Sequence, residues 1–146
     1  MKHQTRQEME AAVTTCPIPS HMSQHERVER WAALLEMHGG FLNPLMQIEY
    51  LSPQERRAYR GTNTPLTVAF SDPVLREQGL KSDGLGDAMD FFGMSDSDAH
   101  RLLCDCRYFG RMTGGAVADR LRRYAARKRS RANFKQAIWR FFGATA

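Results

Sequence analysis

The sequence predicts an all-α fold, a single small domain of about six to eight short helices. Apolar residues recur at the spacing i, i+3, i+4, i+7 through most of the chain. Helix start signals precede these stretches: a Ser or Thr cap, or a Pro at the first helical position. Only one stretch alternates like a strand, and no second strand is available to pair with it. The 146 residues are the length of one ordinary domain.

The first strong helix begins at Ser23. Ser23 and Glu26 have the spacing of a capping box, in which each side chain satisfies the other residue's free backbone N–H. Gly39 and Gly40 are expected to end the helix, because glycine accepts the left-handed conformation of a C-cap. The predicted inner face carries Val28, Trp31, Leu35 and His38.

Two further helices are predicted before residue 62. Asn43-Pro44 begins the second helix, with Pro44 at its first position. Ser52-Pro53 followed by Glu55 repeats the start signal for a third helix, which Gly61 ends. The inner face of the second helix carries Leu45, Ile48 and Leu51.

Residues 62–80 allow two interpretations. Leu66, Val68 and Phe70 alternate like a strand, but a lone strand is not stable. Thr64-Pro65 and Asp72-Pro73 both have the pattern of a helix start. The sequence therefore favours two short helices here.

The most regular part of the chain follows. The apolar spacing predicts two helices, separated by Gly93, with Ser95 capping the second. Thr113 caps the next helix, and after Arg131 a last segment again has helical spacing. The inner faces carry Leu85, Ala88, Met89 and Phe92, then Ala99, Leu102, Leu103 and Cys106, then Val117, Leu121 and Tyr124.

The two helices around Gly93 also fit the pattern of a DNA-reading helix-turn-helix. The second helix would then present Asp96, Ser97, Asp98 and Arg101 to DNA, where the two carboxylates would repel phosphates. Acidic residues in a first helical turn are explained more simply by the helix dipole. A plain helical hairpin is the favoured interpretation.

Three regions follow from these patterns. Residues 1–22 are weakly patterned, contain Pro17, Pro19 and Cys16, and are predicted to form a flexible arm. Residues 23–128 form the helical domain. Residues 129–146 form a basic and aromatic helical tail.

Charge is concentrated near the end of the chain. Residues 107–140 contain eleven basic residues and one acidic residue, a net charge of +10, whereas residues 1–106 have a net charge of −5. Guanidinium groups match the geometry of phosphate, and a row of them gains affinity by releasing counterions. Two alternatives to polyanion binding are a solvated basic face without a ligand and the binding of an acidic protein. The predicted nucleic-acid-binding residues are Arg120, Arg122, Arg123, Arg127, Lys128, Arg129 and Arg131.

The tail also carries large apolar side chains. The sequence allows four roles for these side chains. They could pack on the domain itself, dock on a partner protein or a second copy, stack on bases, or lie in a membrane interface. Packing on the domain is the favoured outcome. The predicted partner-binding residues are Phe134, Ile138, Trp139, Phe141 and Phe142.

Nothing in the sequence argues for catalysis, a metal or a cofactor. Cys104 and Cys106 are two residues apart, so on a helix their thiols point in opposite directions. His100 and Cys104 have i, i+4 spacing and could act together in thiol chemistry or metal binding, but no second ligand pair is visible. Thr113-Gly114-Gly115 precedes a helix and could bind an anion, although the run lacks a phosphate-loop pattern.

The sequence thus predicts a small non-enzymatic binding or regulatory protein that contacts a polyanion, most simply a nucleic acid backbone. The alternative is a protein-interaction module or homo-oligomer that docks through the aromatic tail. A membrane-surface protein or a thiol-dependent enzyme ranks lower. Three cysteines, no long apolar run and no secretory signal favour a cytoplasmic protein.

Overall fold

The all-α prediction is confirmed by the computed structural model, which describes residues 21–44, 52–55, 63–103, 108 and 112–143. These parts of the chain contain no strand, and their one β-bridge joins Phe41 to Thr113. The helices are α1 (Gln24–Met37), α2 (Pro65–Ser71), α3 (Pro73–Glu77), α4 (Leu85–Phe92), α5 (Asp96–Leu103) and α6 (Gly114–Phe142).

Several predictions lie outside the described residues. They are most of the flexible arm with Cys16, the second helix beyond Pro44, the end of the third helix, and Cys104 and Cys106. Met22, at the end of the predicted arm, is buried, and its backbone N–H donates to Gln78 over 2.7 Å.

Helix α1 organises the core. Its predicted capping box is confirmed, with the Ser23 N–H donating to the Glu26 carboxylate over 2.7 Å. Trp31 is completely buried, stacks on Phe92 at a ring distance of 4.4 Å, and donates its indole N–H to the carbonyl of Pro65 over 2.8 Å. The predicted inner residues are buried, apart from His38, which is half-buried and follows the last helical residue.

The preference for helices over a strand in residues 62–80 is confirmed. Thr64 caps α2, and Asp72 caps α3 by accepting the Leu75 N–H over 3.2 Å. Asp72 also accepts two hydrogen bonds from Arg30, over 2.6 and 3.0 Å. The hydrogen-bonded guanidinium of Arg30 lowers the pKa of the Asp72 carboxyl, so this nearly buried acid stays ionised.

Helices α4 and α5 form the predicted hairpin. Gly93 between them is left-handed, with φ of 63°, a conformation that other residues rarely adopt. The Asp98 N–H donates to Ser95 over 3.2 Å, and the Ser95 hydroxyl donates back to the Asp98 carboxylate over 2.9 Å. Asp98 thus serves the start of α5, as the helical-hairpin interpretation expects.

Helix α6 is the largest element and differs from the prediction. Thr113 caps it as expected, but the helix continues through 29 residues without the separate last segment predicted after Arg131. Residues 116–142 contain neither glycine nor proline, so nothing in the chain interrupts the helix. Ala125 is its last buried residue, and every described residue from 126 to 143 is exposed.

Candidate functional site

The structure divides the predicted basic residues of α6 into those held by contacts with the body of the protein and those whose charge faces solvent. Arg122 faces α1, where it donates two hydrogen bonds to the Glu36 carboxylate, over 3.1 and 2.7 Å, and lies 3.7 Å from Glu29. These contacts raise the pKa of Arg122 and lower that of Glu36. The guanidinium is therefore already paired with acids of the protein itself.

Arg120 is also held by the body of the protein. Its guanidinium lies over the ring of Tyr108 at 4.1 Å and donates to the carbonyl of Arg101 over 3.4 Å. Burial raises the pKa of Tyr108 to about 12, and its hydroxyl donates to the carbonyl of Leu102. Arg120 thus anchors α6 beside α5.

Arg123 is more exposed. Its closest described acid is Asp119, one turn earlier on the same helix, at 4.0 Å. Both side chains are largely exposed, at 74% and 68%. An ion pair of this kind is weak in water, so Arg123 can exchange Asp119 for another anion.

A cationic groove lies between α5 and α6. Its volume is about 130 Å³, and four basic side chains and one acidic side chain surround it. None of the four basic groups forms an ion pair with an acid in the described part of the chain. The lining residues are Asp98, Arg101, Leu102, Tyr124, Arg127, Lys128 and Arg131.

Two of the four basic groups of the cationic groove, those of Arg127 and Lys128, are oriented by contacts with neutral groups. Arg127 donates its Nε–H to the carbonyl of Arg123 over 3.2 Å, which uses one of its five N–H groups. Lys128 donates to the carbonyl of Gly93, and its ammonium lies 5.4 Å from the centre of the Tyr124 ring. Tyr124 in turn donates to the same carbonyl over 3.1 Å. These contacts place the side chains without cancelling their charge.

The size of the cationic groove limits what it can hold. Pockets that enclose a small-molecule ligand usually have volumes of about 300–1,000 Å³. A groove of about 130 Å³ is too small to enclose a nucleotide, so its basic side chains would contact successive phosphates of a larger molecule lying across the surface. Its charge suits an anion, since four cations oppose one carboxylate.

Arg101 was not in the favoured set of binding residues, and only the disfavoured helix-turn-helix interpretation presented it to DNA. The sequence places it on the second helix of the hairpin, but no pattern shows that this helix and α6 meet along their basic sides. Arg129, which was predicted, lies away from the cationic groove. It borders an apolar groove of about 270 Å³ with Gln24, Val28 and Phe92, and this groove shares Tyr124 and Lys128 with the cationic groove.

The predicted partner-binding residues are exposed and not buried against the domain. Their exposed fractions show that the favoured expectation of self-packing is wrong for this segment. The physical reason is the length of α6, which carries them beyond the last buried residue, Ala125. The exposed fractions are 68% for Phe134, 40% for Ile138, 78% for Trp139, 84% for Phe141 and 78% for Phe142.

Other site predictions gain no support. The described residues contain no group of three or more His, Cys, Asp or Glu side chains that could hold a metal ion. His100 is exposed, and its predicted companion Cys104 lies outside the described residues. Gly114, in the predicted anion-binding turn, is buried against α1. None of the described helices is long and apolar enough to cross a membrane.

Comparison of the chain with protein-family models, with curated proteins and with solved structures gives no match. The interpretation of this site therefore depends on its own geometry and charge.

Proposed function

We propose that the protein binds the phosphate backbone of a nucleic acid through the cationic groove. Arg101, Arg127, Lys128 and Arg131 would contact phosphates, and Arg123 would extend the contact along the helix. The observation that supports this proposal most directly is that four cations of two helices converge on one groove and none of them is paired with a described acid.

The spacing along α6 favours a polymer over a single ion. Arg123, Arg127 and Arg131 follow at four-residue intervals, so their Cα atoms are about 6 Å apart along one side of the helix. A repeated row of cations matches an anion that also repeats. Nucleic acids present such a row, and each neutralised phosphate releases a counterion.

Low sequence specificity follows from the same geometry. The groove presents charged groups that recognise phosphate, and phosphate contacts carry no direct sequence information. The first turn of α5 would be the base-reading element of a helix-turn-helix, but its Ser95 and Asp98 side chains bond within the helix cap. This turn therefore supplies no base-reading group to the proposal. The protein would thus act as an accessory or regulatory binder of backbone.

The salt dependence of binding tests the proposal. One phosphate contact for each of the four basic residues of the groove gives a slope of about −3.6 in log K against log salt, which is about a 150-fold loss of affinity between about 50 and 200 mM salt, and a contact by Arg123 would steepen it. The measurement is fluorescence anisotropy of a labelled duplex and of a labelled single strand. No binding to either at low salt would overturn the proposal.

A charge-matched pair of variants locates the contact. Arg127→Gln with Arg131→Gln should halve the slope, leaving about a 12-fold loss over the same salt range. The control, Arg76→Gln with Lys81→Gln, removes the same charge from exposed positions outside α6 and should leave the slope unchanged. Equal effects of the two pairs would show that net charge alone attracts the ligand.

Arg122→Gln tests whether an arginine already paired with acids of the protein contributes to nucleic-acid affinity. Arg122 is on the same helix, but Glu36 and Glu29 already hold it. Arg122→Gln should therefore change the affinity less than Arg127→Gln does. The opposite order would place the binding surface on the α1 side of α6 and contradict the assignment to the cationic groove.

A further inference from the structure

The last part of α6, residues 126–143, is here called the terminal segment. It contains six basic residues and no acidic residue, and each of its residues is exposed. It also carries the five large apolar side chains whose exposure is given above. A helix with so much uncovered apolar surface and so much charge of one sign points to a binding surface.

Four of the five large apolar side chains of the terminal segment share one side of the helix, and the fifth, Trp139, lies about 60° outside their arc. At about 100° per residue, Phe134, Ile138, Phe141 and Phe142 fall within an arc of about 100°. The polar residues Asn133, Gln136 and Arg140 lie on the opposite side. The last three turns of α6 are therefore amphipathic.

The apolar arc is continuous with the row of arginines described above. On the same helical projection, Arg123, Arg127 and Arg131 fall within the arc of the four apolar residues, nearer the body along the helix. One side of α6 thus changes along its length from cationic to aromatic. An extended surface that offers negative charge and an apolar phase together can contact both parts.

A second copy of the chain fits this surface poorly. Two terminal segments packed on each other would bring twelve basic residues together without one acidic residue of their own. A bilayer with anionic headgroups has the complementary charge, and each basic residue near such a surface raises the affinity about fivefold. Its acyl region takes up aromatic side chains of a helix lying in the interface plane.

We propose that the terminal segment binds the surface of an anionic lipid bilayer. Phe134, Ile138, Phe141 and Phe142 enter the outer acyl region, and the basic side chains contact the headgroups. The two proposals share Arg127, Lys128 and Arg131, but the apolar arc, on which the lipid proposal depends, takes no part in the nucleic-acid proposal.

Binding of the full-length protein to vesicles tests the proposal. The vesicles contain phosphatidylcholine with about one third phosphatidylglycerol, and the comparison uses phosphatidylcholine alone. Binding is expected only with the anionic lipid. Trp139 is 78% exposed and Trp31 is buried, so a blue shift of the emission on binding reports the terminal segment. No co-sedimentation with anionic vesicles at low salt would overturn the proposal.

Two variants of equal exposure give the control. Phe141 and Met37 are 84% and 83% exposed, so neither Phe141→Ser nor Met37→Ser disturbs the core. Phe141→Ser should weaken vesicle binding at least about tenfold, because a phenylalanine side chain no longer leaves water. Met37→Ser should have no effect. Equal effects of the two changes would overturn the proposal.

Further outcomes distinguish other ligands. Phe141→Ser should leave nucleic-acid binding unchanged, whereas Arg127→Gln with Arg131→Gln should halve the slope of its salt dependence. If the protein instead forms dimers in sedimentation equilibrium, and Phe141→Ser abolishes them while vesicles bind nothing, the terminal segment is a contact between copies and the lipid proposal is wrong.

Discussion

The contact between α1 and α6 makes Gly114 sensitive to the smallest change of side chain. A Cβ atom at this position would lie 1.9 Å from the carbonyl oxygen of Leu35 and 2.9 Å from its carbon. Real Cβ atoms essentially never approach another atom closer than 3.0 Å. The atoms of Leu35 are backbone, so Gly114→Ala must move the two helices apart by about 1 Å or more.

Opposing effects decide the result of Gly114→Ala. Overpacking of this kind costs about 1–3 kcal/mol. Alanine is favoured over glycine inside a helix by up to about 1 kcal/mol, and by less at the first helical position. The net loss in the free energy of unfolding should be about 2 kcal/mol, which lowers the melting temperature by about 4–8 °C.

Gly115 is the matched control for this prediction. It is the next residue of the same helix, and a Cβ there would meet nothing within 4 Å. Gly115→Ala should therefore be neutral or stabilising, by up to about 1 kcal/mol. Urea and thermal unfolding followed by circular dichroism measure both variants. If Gly114→Ala is as stable as Gly115→Ala, the close approach of α1 and α6 is not as described.

Two further changes test the core and its buried ion pair. Trp31→Ala should lower the free energy of unfolding by about 3–5 kcal/mol, whereas Trp31→Phe keeps the stacking on Phe92 and should cost about 1–2 kcal/mol for the lost hydrogen bond; urea unfolding that ranks them otherwise would contradict the packing. Asp72→Asn keeps an oxygen for the cap but removes the charge beside Arg30, so it should cost about 1–2 kcal/mol at neutral pH, discounted because Arg30 is partly exposed. Because the pKa of Asp72 is lowered in the folded protein, its stabilisation is present above the ordinary pKa of about 4 and is lost as the pH falls through the folded value. Unfolding measured from neutral to acid pH should therefore show a weaker pH dependence for Asp72→Asn than for the original protein, and an unchanged dependence would exclude the contribution of Asp72.

The local features of the fold could be predicted from the sequence because their causes are local. The capping box of Ser23 and Glu26 and the proline starts of α2 and α3 each lie within four residues. The choice between strand and helix at residues 62–80 followed from the local helix starts at Thr64-Pro65 and Asp72-Pro73 together with the lack of a partner strand elsewhere in the sequence. The last residue of α1 and the continuity of α6 depend on weaker preferences. The sequence analysis separated a last segment after Arg131, whereas α6 continues through it.

The candidate site could be predicted only in part, since it is formed by contacts between distant residues. The sequence shows that α6 is basic, but not that Arg122 meets Glu36 or that Arg120 stacks on Tyr108. It also does not show that Arg101 joins the arginines of α6. Periodicity identifies one side of a helix, whereas the neighbour on that side is set by the packing of the whole chain.

The exposed half of α6 has a consequence for the handling of the protein. Beyond Ala125 the helix has no core to stabilise it, and helices of this length held mainly by local hydrogen bonds are marginal in water. Fraying there gives trypsin access to a run of Arg and Lys residues, while the buried helices stay protected. A clipped preparation would keep its cooperative unfolding and lose its ligands, so intact mass should be verified before any negative binding result is accepted.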